Sequence, residues 1–209
     1  QMEFAFGQNG LSPIVLELSD GSFVYLQGRI DRVDVMTDGG LRIIDYKSGS
    51  HRFDPTLVYW GLQLQLLLYL AAAVSRVPGA HATGFFYCRI ADPTIKTESR
   101  IQEEVERQIA KKLSLNGISL SDVRILRAQG GPQAAMVTKE GKPNGRFASS
   151  MVDEEGMEKL LAFAQHKATD LAGEIYGGTI DDSPYERGTL NASIRPSASL
   201  ILCAKRADG

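Results

Sequence analysis

Gly28-Arg29-Ile30-Asp31-Arg32-Val33-Asp34, the turn Thr37-Asp38-Gly39-Gly40, and the returning run Ile43-Ile44-Asp45-Tyr46-Lys47 decide the fold of this chain. Asx and glycine residues between two β-branched runs predict a hairpin, with Gln27 to Val35 as one strand and Leu41 to Lys47 as its partner. Alternate side chains of a strand share a face. Asp45 and Lys47 therefore point one way and Tyr46 the other, with Leu41 and Ile43 behind the charged pair. The turn returns Asp31, with Val33 and Val35 on its face, to the neighbourhood of Asp45. Two carboxylates and an ammonium are thereby expected in one small volume. An isolated D-x-K on a strand is most often a surface ion pair of little energetic worth. Here Asp45 follows two isoleucines, and a carboxylate buried there is costly unless a cation offsets it. Adjacent carboxylates suit Mg²⁺, a hard ion that takes one or two protein carboxylates and keeps several waters.

Outward from the hairpin, Ile14 to Leu18 and Phe23 to Leu26 read as strands joined at Ser19-Asp20-Gly21. Leu57 to about Val77 is apolar on nearly every face and predicts one buried helix, ended by Val77-Pro78-Gly79. Gly84 to Ile90 predicts a central strand. Glu98 to Leu113 predicts an amphipathic helix with Ile101, Val105, Ile109 and Leu113 inward. Met136 to Phe147 predicts a hairpin around residues 140–145, and Asp153 to about Tyr176 a last long helix capped by Ser150 or Asp153. These strands and helices make the fold class α/β.

The 209 residues suit a single well-buried domain, and no apolar run approaches the roughly 20 residues of a membrane span. The net charge of −2 argues neither for nor against nucleic acid, because a metal can read phosphate locally. Cys88 and Cys203 offer neither a disulfide framework nor metal-ligand spacing, which fits a reducing, cytoplasmic setting. The chain opens at Gln1 and reads as a piece of a larger subunit.

The ordered set G-R-I-D-R-V-D, I-I-D-Y-K-S-G and G-L-Q-L-Q-L-L-L-Y-L resembles the RecB-family branch of the PD-(D/E)XK (restriction-endonuclease-like) nucleases, most closely the AddB-type domains of helicase–nucleases. The resemblance extends through residues 84–87, Asp92-Pro93, Leu115-Asn116-Gly117 and Ser183-Pro184-Tyr185. It implies metal ligands at Asp31 and Asp45, with Glu3 and the backbone carbonyl of Tyr46 completing the set, and a catalytic lysine at Lys47. Gln65 and Tyr69 match the family's Q-x-x-x-Y motif, which lines the site and meets DNA. Asp34 is a rival to Asp31, and Glu17 a rival to Glu3. Gln65 and Tyr69 also read as buried polar groups satisfied by backbone, and Arg29, Arg32, His51 and Arg52 either hold phosphates or merely face solvent.

The resemblance further implies a restriction-endonuclease-like mixed central sheet flanked by helices, and a metal-dependent exonuclease, using Mg²⁺ or Mn²⁺, that hydrolyses DNA during double-strand-break processing and recombinational repair in bacterial cytoplasm. Its partners would be DNA, an AddA-like helicase subunit and the remainder of its own subunit, with no membrane. The alternatives are an idle DNA-binding remnant and a stand-alone RecB-like exonuclease. AddB-type domains usually carry a 4Fe–4S cluster, but the three C-terminal ligand places fall on Ser193, Pro196 and Leu202, with Cys203 one residue off, so no cluster is expected. Residues 1–190 are read as the nuclease domain and 191–209 as a divergent, poorly ordered tail.

Overall fold

The computed structural model describes residues 2–7, 12–49, 51–90, 115–178 and 201–204. Strands β1 (Met2–Phe6), β2 (Ile14–Glu17), β3 (Phe23–Val35) and β4 (Gly40–Lys47) precede two helices, α1 (Pro55–Tyr59) and α2 (Gln65–Arg76). Then come β5 (His81–Arg89), β6 (Asn116–Leu120), α3 (Val123–Gln129), the single turn α4 (Gly131–Ala134), a 3-10 turn (Gly145–Ser150), β7 (Met151–Val152), α5 (Glu154–Tyr176) and β8 (Ile201–Ala204). The sheet order is β1-β3-β4-β5-β6-β7, with β2 and β8 pairing the first half of the long β3. The β4–β5 and β6–β7 pairs are parallel and the others antiparallel, so this is the mixed sheet the resemblance implies.

The β3–β4 hairpin turns where expected. Gly39 takes a positive φ of 84°, and Asp38 Oδ1 accepts from Gly40 N at 3.0 Å. Val35, predicted to face inward with Val33, lies beside this turn and is 57% exposed. α2 is the crossover between the parallel β4 and β5. Leu66, Leu67, Leu68, Leu70, Ala72 and Ala73 are buried, and they form one core with Leu41 and Ile43 of β4, Phe85 of β5 and Ala164, Ala168 and Ala172 of α5. On the opposite face Arg42 is nearly buried, pairing with Asp34 at 2.5 Å and donating to the carbonyl of Gln129 at the end of α3.

Two expectations need correction. The single helix over 57–77 is two: Gly61 adopts φ 78°, Leu62 N donates back to Leu57 O, and α2 restarts at Gln65. Only glycine takes that backbone without strain, and a Cβ there would also meet Leu171 Cδ1 of α5 at 2.7 Å. The hairpin over 136–147 shrinks to one bridge, Val137↔Pro143, because residues 145–150 wind into a 3-10 turn capped by Asn144. Of residues 191–209 the structure describes Ile201–Ala204, whose backbone pairs with Val24 to Gln27 as β8. Of the two proposed caps for α5, Asp153 serves, accepting from Gly156 N at 2.8 Å. The expected helix 98–113 and residues 92–93 and 183–185 lie outside the described residues.

Candidate active site

β3 and β4 pair in register from Val35↔Leu41 to Arg32↔Ile44. Beyond that point Asp31 turns its carboxylate into the ladder: Oδ2 accepts from Tyr46 N at 2.9 Å, in place of a backbone carbonyl. This fixes Asp31 beside Asp45, close enough for its charge to act on Asp45 and on Tyr69. Lys47 Nζ stands 2.7 Å from Asp45 Oδ2 and donates to Gln65 Oε1 at 3.3 Å. Gln65 Nε2 in turn donates to the Tyr69 hydroxyl at 3.0 Å, one helical turn along α2. The Lys47 ammonium also lies 5.9 Å from the centre of the Tyr87 ring, a cation–π distance. The two carboxylates, the ammonium, the amide and the phenol form one continuous cluster.

Asp45 is 4% exposed, and its buried Oδ2 faces the Lys47 ammonium. Burial pushes its carboxyl above the ordinary carboxylate range and Asp31 pushes the same way, while Lys47 opposes both. The sign for stability follows from linkage. A carboxyl raised in the folded state stabilises the fold when protonated and loses that contribution as pH rises through its folded value. Without divalent metal, the stability of the wild type should thus gain from Asp45 as pH falls from neutral toward its ordinary value of 3.8. Asp45→Asn should remove that component, as thermal unfolding at a series of pH values in chelator would show; superimposable pH profiles would refute it. Burial likewise raises the Tyr69 hydroxyl and takes that of Tyr87 up to about 12, so both remain protonated donors near neutrality.

A buried carboxylate in contact with a single ammonium, beside a second carboxylate that commits one oxygen to the backbone, fits a hard divalent cation. Among the described residues no three His, Cys, Asp or Glu side chains gather around a common point. The backbone of β1 pairs Met2 with Arg32 and Phe4 with Ile30, which sets position 3 across from Asp31, the register that a Glu3 ligand requires. Of the four thiolates that normally hold a 4Fe–4S cluster, this sequence offers at most two, Cys88 and Cys203.

The remaining sequence candidates separate. Arg32 lies on the other face, where Nε binds Asp34 Oδ1 at 2.7 Å and Nη1 reaches the Tyr46 hydroxyl at 3.4 Å; alternation turns it away from the carboxylates. Asp34 is committed to the same ion-pair network. Glu17 lies on β2, paired with Phe23 at the far end of β3. Arg29 is exposed on β3 across from Ala5, and Arg52 is exposed in the loop before α1.

Sequence reasoning missed four supporting residues. Tyr87 is the β5 partner of Asp45 in the parallel register, and its ring sits 6.1 Å from that of His51. Gln63 accepts from Asp54 N and donates to Arg52 O, each at 2.9 Å, while the Asn116 carboxamide accepts from Phe53 N at 2.5 Å. These two side chains clamp the loop that follows Lys47. Gly28 leaves room for the site: a Cβ there would come within 2.7 Å of Phe6 and 2.9 Å of Tyr69. The Q-L-Q spacing and the glycine three residues before Asp31 were the available signals.

A sequence profile described as the PD-(D/E)XK nuclease superfamily matches residues 1–189. The chain is 36% identical to the B subunit of the ATP-dependent helicase/deoxyribonuclease of Alkaliphilus oremlandii (strain OhILAs) across 96% of its own length and 19% of that protein's. The same-named proteins of Alkaliphilus metalliredigens (strain QYMF) and Moorella thermoacetica (strain ATCC 39073 / JCM 9320) are 37% and 35% identical over 89% and 91% of this chain, in each case 18% of the relative. The chain thus spans under a fifth of the curated relatives it matches. With the mixed sheet and the clustered Asp31, Asp45 and Lys47 in view, the match over residues 1–189 means that this chain belongs to the PD-(D/E)XK nuclease superfamily.

Proposed function

We propose that the chain is the metal-dependent DNA nuclease domain of an AddB-like helicase–nuclease subunit, hydrolysing DNA phosphodiesters as broken ends are processed for recombinational repair. The observation that carries this reading is the buried Asp45 carboxylate, set beside Asp31 and in ion contact with Lys47. Asp31 and Asp45 would hold Mg²⁺ (or Mn²⁺), with Glu3 and the Tyr46 carbonyl as further ligands. When bound, the ion offsets the charge of the phosphodiester and lowers the pKa of a coordinated water.

The chain's own groups do the rest. Lys47, held by Asp45 and Gln65, presents a fixed cation where negative charge develops on the phosphate, and such preorganised donors are among the largest contributors to catalysis. The Tyr69 hydroxyl stays protonated and holds Gln65, which orients Lys47, so the Q-x-x-x-Y motif positions the ammonium from one helix face. Arg29 and Arg52, exposed on either side of the motif strands, are the candidate contacts to the DNA backbone.

The relatives are helicase/deoxyribonuclease B subunits, which supports helicase partnership, so an AddA-like subunit and the rest of its own subunit are the proposed partners, and bacterial cytoplasm the proposed location. No helix among the described residues is long and apolar enough to cross a membrane. Incubation with linear single-stranded DNA in Mg²⁺, in Mn²⁺ and in chelator tests the reading. Cutting is expected only with a divalent ion; cutting that continues in chelator would overturn it.

A further inference from the structure

Tyr59, Trp60 and Phe163 are 61%, 53% and 37% exposed, although aromatic side chains of this size usually turn inward. They are not scattered. The Tyr59 and Phe163 rings are nearly parallel, 10° apart in plane with centroids separated by 6.3 Å, and Trp60 meets Tyr59 edge-on at 5.3 Å. Tyr59 ends α1 and Phe163 lies on α5, so two helices assemble one aromatic surface. Lys167 lies one helical turn beyond Phe163, and its stem passes over Gly61, where an added Cβ would stand 3.5 Å from Lys167 Cε. Its ammonium pairs with no carboxylate among the described residues.

The position of this surface relates it to the cluster around Lys47. Trp60 precedes Gln65 by five residues, and Gln65 accepts from the Lys47 ammonium. Five residues span at most about 18 Å, so the aromatic surface lies within a few nucleotides' reach of a phosphate at Lys47. Flat π faces beside a free cation suit nucleobases joined by phosphates, and every base has a face to offer. A purely apolar protein partner would leave Lys167 without a counter-charge.

We propose that Tyr59, Trp60 and Phe163 form a stacking platform for unpaired bases of single-stranded DNA leading to or from the Asp31–Asp45–Lys47 cluster, with Lys167 at a backbone phosphate. The proposal deepens the nuclease reading and rests on it for direction, yet its test does not require cleavage. Trp60 is the only tryptophan of the sequence, so intrinsic fluorescence reports on the platform directly. The 209-residue chain would be titrated in chelator with a 12-nucleotide oligo(dT) and with a strand of equal length lacking bases.

Oligo(dT) is expected to change Trp60 emission saturably and to bind about fivefold or more tighter than the abasic strand, the lower end of one stacked base. Phe163→Ala, at an exposed site, should lose that advantage without altering abasic binding or the hydrolysis of a small base-free phosphodiester in Mg²⁺. Equal affinity for both strands, silence of Trp60, or unchanged oligo(dT) binding in both Phe163→Ala and Tyr59→Ala would overturn the platform in favour of a protein-covered surface. A chain that stacks oligo(dT) but cuts nothing in Mg²⁺ would keep the platform and lose the nuclease reading; one that cuts yet ignores bases would do the reverse.

Discussion

Lys47→Ala is expected to lower DNA cleavage by a factor of about 100 to 1,000, the usual loss when one preorganised donor to a developing anion is removed. Lys47 Nζ is fixed from three sides, by Asp45 Oδ2 at 2.7 Å, Gln65 Oε1 at 3.3 Å and the face of Tyr87. A side chain so constrained loses little freedom on meeting substrate, and so its charge acts at full effect. The ammonium touches no described group that would hold the fold alone, while the Asp45 carboxylate depends on it for charge compensation. Without metal the variant should therefore unfold at lower temperature than wild type, and saturating Mg²⁺ should narrow that gap by supplying the missing positive charge. Single-turnover cleavage, with metal affinity measured by calorimetry, separates the two effects. Cleavage within threefold of wild type would end the assignment of Lys47.

Gly117→Ala should be the most damaging small substitution in the sheet. Gly117 pairs with Phe86 on β5, and a Cβ at residue 117 would lie 1.9 Å from the carbonyl oxygen of Phe85 and 2.8 Å from the Cα of Phe86. Both are backbone atoms of the central strand, so relief requires β5 and β6 to separate. A cost of about 3 kcal/mol or more follows, at the upper end for overpacking. For a domain of this size that corresponds to a fall in Tm of roughly 6–12 °C. The damage should also reach the site. β5 carries Tyr87 opposite Asp45, and the neighbouring Asn116 clamps Phe53 N. Gly145→Ala is the matched control, since nothing lies within 4 Å of a Cβ there, and it should change stability by less than about 0.5 kcal/mol. Calorimetric melts of the two variants that coincide would refute the argument.

The hairpin and its charges were legible because both signals are local. Alternation assigns Asp45 and Lys47 to one face, and the Asx–Gly turn sets the return of Asp31. Helical spacing likewise placed Gln65 and Tyr69 together. What stayed hidden depends on distant pairings. The parallel register that sets Tyr87 beside Asp45 is fixed by a crossover helix, which carries no register information in its own sequence. The same alternation carries Arg32 to Asp34, on the face away from Asp31. The break at Gly61 is hard to read because the apolar run continues across it, while the bend rests on the positive φ of Gly61 and its packing beside α5. β8 was missed for a related reason: a short apolar run reveals nothing of the open edge it will find.

The carboxylate of Asp31 occupies a rung of the hairpin, and this makes residue 31 a wedge as well as a charge. Taking it away leaves an amide proton unclaimed at Tyr46 and invites the two strands to zip further toward their open end, closing the cleft that an ion would enter. Alanine there would erase both roles at once, whereas asparagine keeps an oxygen for the amide and surrenders only the negative charge. The interval between those two variants measures how much of the cleft is electrostatics and how much is carpentry.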